Sequence, residues 1–267
     1  AAWRGDRCQS LAFAPARQDS GLRAVDAGRN TSTWGGAVVY AGGEYHMWAS
    51  EMIQHCGIDS WTTNSRVVHA ASTDGVRFER DDVVFPAFSH EPNVVRAPTG
   101  EWLMLFTGAP PGSPPPTPCT QCADGRTRAG ATCAGGPAGR GPTYLSWSAS
   151  PTGPWSARER LFAAQANATA GADTNLAVTI LANGSAVGIA RMGGHVHLVR
   201  ARHWRDAASY VGEWATPLLP TTHGLEDPCA AIAPRSHRDC APHPRGASGR
   251  FVYVDGRGHY HAVFHAQ

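Results

Sequence analysis

The sequence contains no lysine; all 23 of its basic residues are arginine. Charged residues make up 16% of the 267, and the formal net charge is +2. So small a balance gives no electrostatic footprint for nucleic acid, and none is expected as a partner. The excess of Ala, Gly and Arg reads as coding bias, not as a phosphate-binding patch. Scarce Glu and absent Lys also disfavour long surface helices, whose exposed faces need such residues. Long apolar runs are missing too. Stretches such as Ala37-Val38-Val39-Tyr40-Ala41 fall far short of the ~20 residues of a membrane-spanning helix. Nothing matches a phosphate loop, a nucleophile elbow or a Cys/His catalytic pair.

What is present points to β-structure. Hydrophobic residues are 42%, which rules out wholesale disorder. Gly (30) and Pro (20) are abundant and favour short strands joined by turns. Nine Trp supply either stacking surfaces or core residues that lock sheets together. The length of 267 is ample for a buried core.

Seven Cys occur, at 8, 56, 119, 122, 133, 229 and 240. Asn30-Thr31-Ser32, Asn167-Ala168-Thr169 and Asn183-Gly184-Ser185 are N-glycosylation sequons. Together these tilt the reading towards a secreted protein or the secretory lumen. The start Ala-Ala-Trp, without Met, is expected of a fragment or of a chain whose leader was removed. Cys119-x-x-Cys122 with Cys133 has a loose zinc-like spacing, but no fourth ligand is evident. Disulfides are the weightier reading, with connectivity open; Cys229 and Cys240 are placed to staple a short insertion.

The most informative feature is an internal repeat. Four segments share a polar or acidic opening, an apolar strand, a Gly-containing turn and a second strand. The first runs from Trp34 to Val39 and then Gly42 to Trp48. The second runs from Glu91-Pro92-Asn93 to Val95 and then Thr99 to Phe106. The third opens at Asp173-Thr174-Asn175 and resumes at Asn183. The fourth opens at Glu226-Asp227-Pro228-Cys229 and resumes at Asp255 to Phe264. Further hairpins follow: Arg66–Ser72 with Val76–Phe78, Tyr144–Ser150 with Trp155, and His195–Arg200 with Glu213-Trp214. Four strands per unit make one propeller blade. The expectation is an all-β chain, a β-propeller with about three and a half to four blades present, five being the number that the resemblance below implies. Residues 1–267 then form a single domain that continues past Gln267, with 109–142 as a Pro/Gly/Cys-rich excursion.

On these motifs the layout resembles the five-bladed propeller glycoside hydrolases of the arabinofuranosidase/xylosidase clan, family 43 and relatives. The resemblance implies working carboxylates where inner strands open onto a central funnel. It implies that Glu226, in Glu226-Asp227-Pro228, is a general acid and that Asp173 is an orienting carboxylate. It also implies a general-base Asp in the first blade, where this chain carries Trp34. Glu91 opens the second blade, and Glu51 is expected in a loop at the funnel mouth; either is a candidate second catalytic group, and Asp59 in the following loop or Asp26 before the strand are further substitutes for the base.

Glycoside cleavage needs a carboxylic acid to protonate the leaving oxygen and a second carboxylate to activate water or attack the sugar carbon. Carboxylates opening different blades can meet at a funnel although they are distant in sequence. Each has a plainer reading beside it: Asp-Pro and Asp-Thr-Asn are also good turn chemistry. Trp34 is a candidate sugar platform or a blade-core Trp. His90, His223 and Asp227 are candidate sugar-binding groups, or surface and packing residues. No cofactor is required; a structural cation at the propeller centre is the one metal expectation. The function expected is hydrolysis of O-glycosidic bonds in a polysaccharide or oligosaccharide. The alternatives are a non-catalytic carbohydrate-binding propeller and an extracellular interaction module.

Overall fold

The computed structural model describes residues 3–4, 10–11, 21–23, 32–121, 127–129, 141–165, 176–192, 195–218, 251–254 and 260–263. Blade 1 is an antiparallel meander of β1 (Ser32–Ala41), β2 (Glu44–Met52), β3 (Ser65–Ser72) and β4 (Arg77–Phe85). Gly21–Arg23 adds a short strand parallel to β4 at its outer edge. Blade 2 comprises β5 (Ser89–Arg96), β6 (Trp102–Gly108), β7 (Thr143–Ser148) and β8 (Glu159–Arg160). Blade 3 comprises β9 (Ala177–Ile180), β10 (Ala186–Met192), β11 (His195–Ala201) and β12 (Val211–Gly212). A further hairpin pairs β13 (Phe251–Val254) with β14 (Tyr260–Val263), and β13 lies against β9.

Turn chemistry explains where strands reverse. Gly42 and Gly43 take φ of 63° and 93°, which suits the tight β1–β2 hairpin. Asp74 closes the β3–β4 turn. The backbone N–H groups of Arg77 and Val76, with the Ser72 hydroxyl, hold its carboxyl down at about 2.

Consecutive sheets pack face to face. Ala37, Trp48 and Val67 of blade 1 meet Val94, Trp102, Met104, Phe106 and Tyr144 of blade 2. On its other side blade 2 sets Leu103, Leu105 and Leu145 against Leu176, Val178, Ala186 and Val199 of blade 3. Buried on both faces, β6 is inaccessible at every position. That is why Trp102-Leu103-Met104-Leu105-Phe106 reads as a continuous apolar run instead of an alternation. Radially stacked four-stranded sheets are the architecture of a β-propeller. A polar clamp also joins blades 2 and 3. Arg205 donates to Glu101 (3.0 Å) while its guanidinium lies 3.5 Å above the Trp147 ring.

Three local expectations are corrected. The outer strand of blade 2 forms at Glu159–Arg160, not at Trp155. Trp155 is drawn into the interface instead, its ring edge-on to Trp48 at 6.1 Å. The outer strand of blade 3 is Val211–Gly212, two residues before the expected Glu213-Trp214. The first strand of the fourth hairpin is Phe251–Val254, directly before its turn.

Gly36 marks the tightest approach within blade 1. A Cβ there would lie 2.0 Å from the Trp48 carbonyl oxygen, and φ is +146°. Gly36→Ala is therefore expected to cost about 3 kcal/mol or more, because β1 must move off β2. A urea denaturation midpoint unchanged from wild type would contradict that contact.

Candidate active site

β1 and β5 are the inner strands of blades 1 and 2, and both begin at the same end of the propeller. Each carries a bulge two or three residues in. On β1, Trp34 pairs with Ser50 and Gly36 with Ala49, so Gly35 is the extra residue. On β5, His90 pairs with Thr107 and Asn93 with Leu105, which leaves Glu91-Pro92 opposite Phe106 alone. Gly35 and Glu91 take nearly the same left-handed φ, +50° and +51°. Glycine adopts this conformation without strain; for a glutamate it costs about 1–2 kcal/mol. Strained residues of this kind persist where surrounding contacts over-determine them.

Those contacts are visible. The Glu91 backbone N–H donates to Ser50 Oγ at 2.7 Å. Trp34 Nε1 donates to Glu91 Oε1 at 3.1 Å. A Cβ on Gly35 would lie 3.3 Å from Glu91 Cγ, so the missing side chain makes room for the glutamate. Glu91 is 6% exposed, whereas Trp34 keeps 44% of its surface open. The geometry thus joins an oriented carboxylate to a half-exposed aromatic ring. Bulges beside active sites re-aim side chains in this way.

His90 is buried beside Glu91. Its Nδ1 lies 2.7 Å from Ser65 Oγ, and its ring stacks on Trp61 at 4.8 Å. Glu51 is not on a loop as expected: β2 runs through to Met52 and carries it. Glu51 accepts from Arg66, its register partner on β3, and from Arg80 Nη1 at 2.8 and 3.0 Å. Successive strand residues face opposite ways. Ser50 turns towards Glu91, so Glu51 turns away. The structure brings Trp34, His90 and Glu91 into one neighbourhood and sets Glu51 apart as an ion-pair centre. Asp173, His223, Glu226 and Asp227 lie outside the described residues.

Two long connections rise from this same end: residues 53–64 after β2, and the excursion between β6 and β7. A disulfide joins them, Cys56 to Cys119. Cys119 N–H donates to the Gln54 carbonyl (3.0 Å), and Asn64 Nδ2 bridges the Thr117 carbonyl (2.8 Å) and Gln54 Oε1 (3.1 Å). Cys119 is thereby a disulfide partner and not the zinc ligand of the alternative reading. Among the described residues no group of three or more His, Cys, Asp or Glu is placed to hold a metal ion. Sequence reasoning missed this pairing and the Arg66/Arg80 partners of Glu51. The signal for the pairing was topological: both cysteines sit in connections leaving one end of adjacent blades.

No family model matches the chain, and no curated protein matches it. Among solved structures it is similar to Zg3597, a family 117 glycoside hydrolase produced by the marine bacterium Zobellia galactanivorans. The TM-score is 0.53 at 13% identity, over 78% of this chain and 63% of that one. The GH93 α-L-arabinofuranosidase of Fusarium graminearum gives a TM-score of 0.44 at 16% identity, over 68% of this chain and 45% of that one. A glycosyl hydrolase from Bacteroides ovatus gives 0.45 at 14%, over 75% and 55%. The chain spans less than two thirds of the length of these structures. The likeness to Zg3597 is one of fold: this chain shares its propeller architecture with a glycoside hydrolase. No helix of the described residues is long and apolar enough to cross a membrane.

Proposed function

We propose that this chain is a secreted, family 43-like propeller that hydrolyses O-glycosidic bonds of a polysaccharide or oligosaccharide. One observation carries the reading: a buried glutamate, Glu91, is held by Trp34 and Ser50 where the inner strands open. A fold shared with a glycoside hydrolase supports it. In this reading Glu226 protonates the leaving oxygen and Asp173 orients it. A further carboxylate serves water, and the open face of Trp34 stacks on a sugar ring. No cofactor is needed for such acid–base chemistry.

One observation favours a second reading, a carbohydrate-binding propeller without turnover: the first inner strand presents Trp34 and Gly35 and no acid. The two separate on a panel of aryl arabinofuranosides, xylosides, galactosides and fructosides. An enzyme turns over at least one, and Glu226→Gln lowers that turnover about 10²–10⁴-fold, the usual contribution of a general acid. A protein that binds oligosaccharides but cleaves none of the panel fits the second reading instead.

A further inference from the structure

Resting on that glycosidase reading, we infer that Glu91 of blade 2 takes the place of the acid missing from blade 1 and is the base that activates water. Gly35 and Glu91 are equivalent bulge residues on neighbouring inner strands, at φ +50° and +51°. Blade 1 therefore has no side chain at the position where blade 2 has its glutamate. The Glu91 side chain reaches across to cover that bare position, its Cγ 3.3 Å from where a Gly35 Cβ would stand. Its Oε1 accepts from the indole N–H of Trp34, the residue just before Gly35 on the first inner strand. The carboxylate arrives at the blade 1 site from the adjoining blade.

Glu51, another candidate, does not fill this role. It sits on the opposite face of β2, with both oxygens bonded to Arg80 and one also to Arg66. Trp34 and Gly35 are positioning residues: one donates to the carboxylate, the other leaves room for it.

In the step, a Glu91 carboxylate oxygen takes a proton from water as the water oxygen bonds to the anomeric carbon. The bond from that carbon to the leaving oxygen breaks. Its electron pair stays on the leaving oxygen, which takes a proton from the acid. Glu91 ends protonated and the acid ends ionised; a proton exchange with solvent restores both.

The test uses the full chain and whichever aryl glycoside of the panel it cleaves. Glu91→Gln is isosteric and keeps an acceptor for Trp34, so the seat survives while the base is lost. Turnover should fall about 10²–10⁴-fold with an unchanged melting profile. Trp34→Phe keeps the ring but removes the donor that favours the ionised carboxylate, so the acid limb of its pH–rate profile should move to higher pH. The double variant Trp34→Asp with Glu91→Gln returns a carboxylate to blade 1 and should recover part of the lost turnover. If Glu91→Gln folds and keeps more than a tenth of wild-type turnover, Glu91 is not the base, although the hydrolase reading stands. If the wild-type chain cleaves nothing in the panel, the hydrolase reading fails and this inference fails with it.

Discussion

Glu51→Gln is expected to destabilise the chain by about 3 kcal/mol, the lower end of the cost of breaking a buried ion pair by removing one partner. The Glu51 side chain is 3% exposed, while Arg66 and Arg80 retain 24% and 18%. Partial access to water moderates the charge left behind, hence the lower end. The cost falls on three strands at once, because Glu51 on β2 bonds Arg66 on β3 and Arg80 on β4. Urea denaturation at neutral pH measures it. A companion variant separates pairing from burial. Replacing Glu51, Arg66 and Arg80 together by Met removes all the charges, and should recover most of the loss. Equal destabilisation by the single and triple variants would mean that packing, not charge, holds these strands.

The blade plan was legible because it rests on local chemistry. Gly-containing turns and apolar runs recur at Trp34 and Glu91, and the inner strands Ser32–Ala41 and Ser89–Arg96 form there. Second hairpins beginning at Arg66 and Tyr144 also form, the latter with its outer strand shifted to Glu159–Arg160. What failed depended on partners distant in sequence. Glu51 looked like a loop acid because nothing local shows that Arg80, 29 residues on, would reach it. Trp155 read as strand because its burial against Trp48 is an inter-blade event. Trp34 read as a departure from the pattern that the resemblance implies. Its contact with Glu91 spans 57 residues and depends on two bulges that no periodicity announces. Gly35 was the available hint, since a glycine beside a half-buried strand opening often marks a bulge.

Breaking the Cys56–Cys119 bridge should lower stability by about 4 kcal/mol in the chain-entropy account, given the separation of 63 residues it closes. At about 2–4 °C per kcal/mol for a chain of this size class, the melting temperature should drop by roughly 10 °C. The native state has little reason to change. The Cys119 N–H bond to Gln54, and the Asn64 bridge to Thr117 and Gln54, keep the two connections docked without the sulfurs. The loss is therefore expected to arise in the unfolded chain, which regains the freedom the bridge removed. Cys56→Ser, Cys119→Ser and the double variant should melt alike, since each removes the same bond. Spectra below the transition should match wild type. If the three variants melt with the oxidised wild type, the bridge adds no stability to the folded protein. If they lose native spectra at low temperature, the sulfurs, and not the hydrogen bonds, hold the wall beside the site.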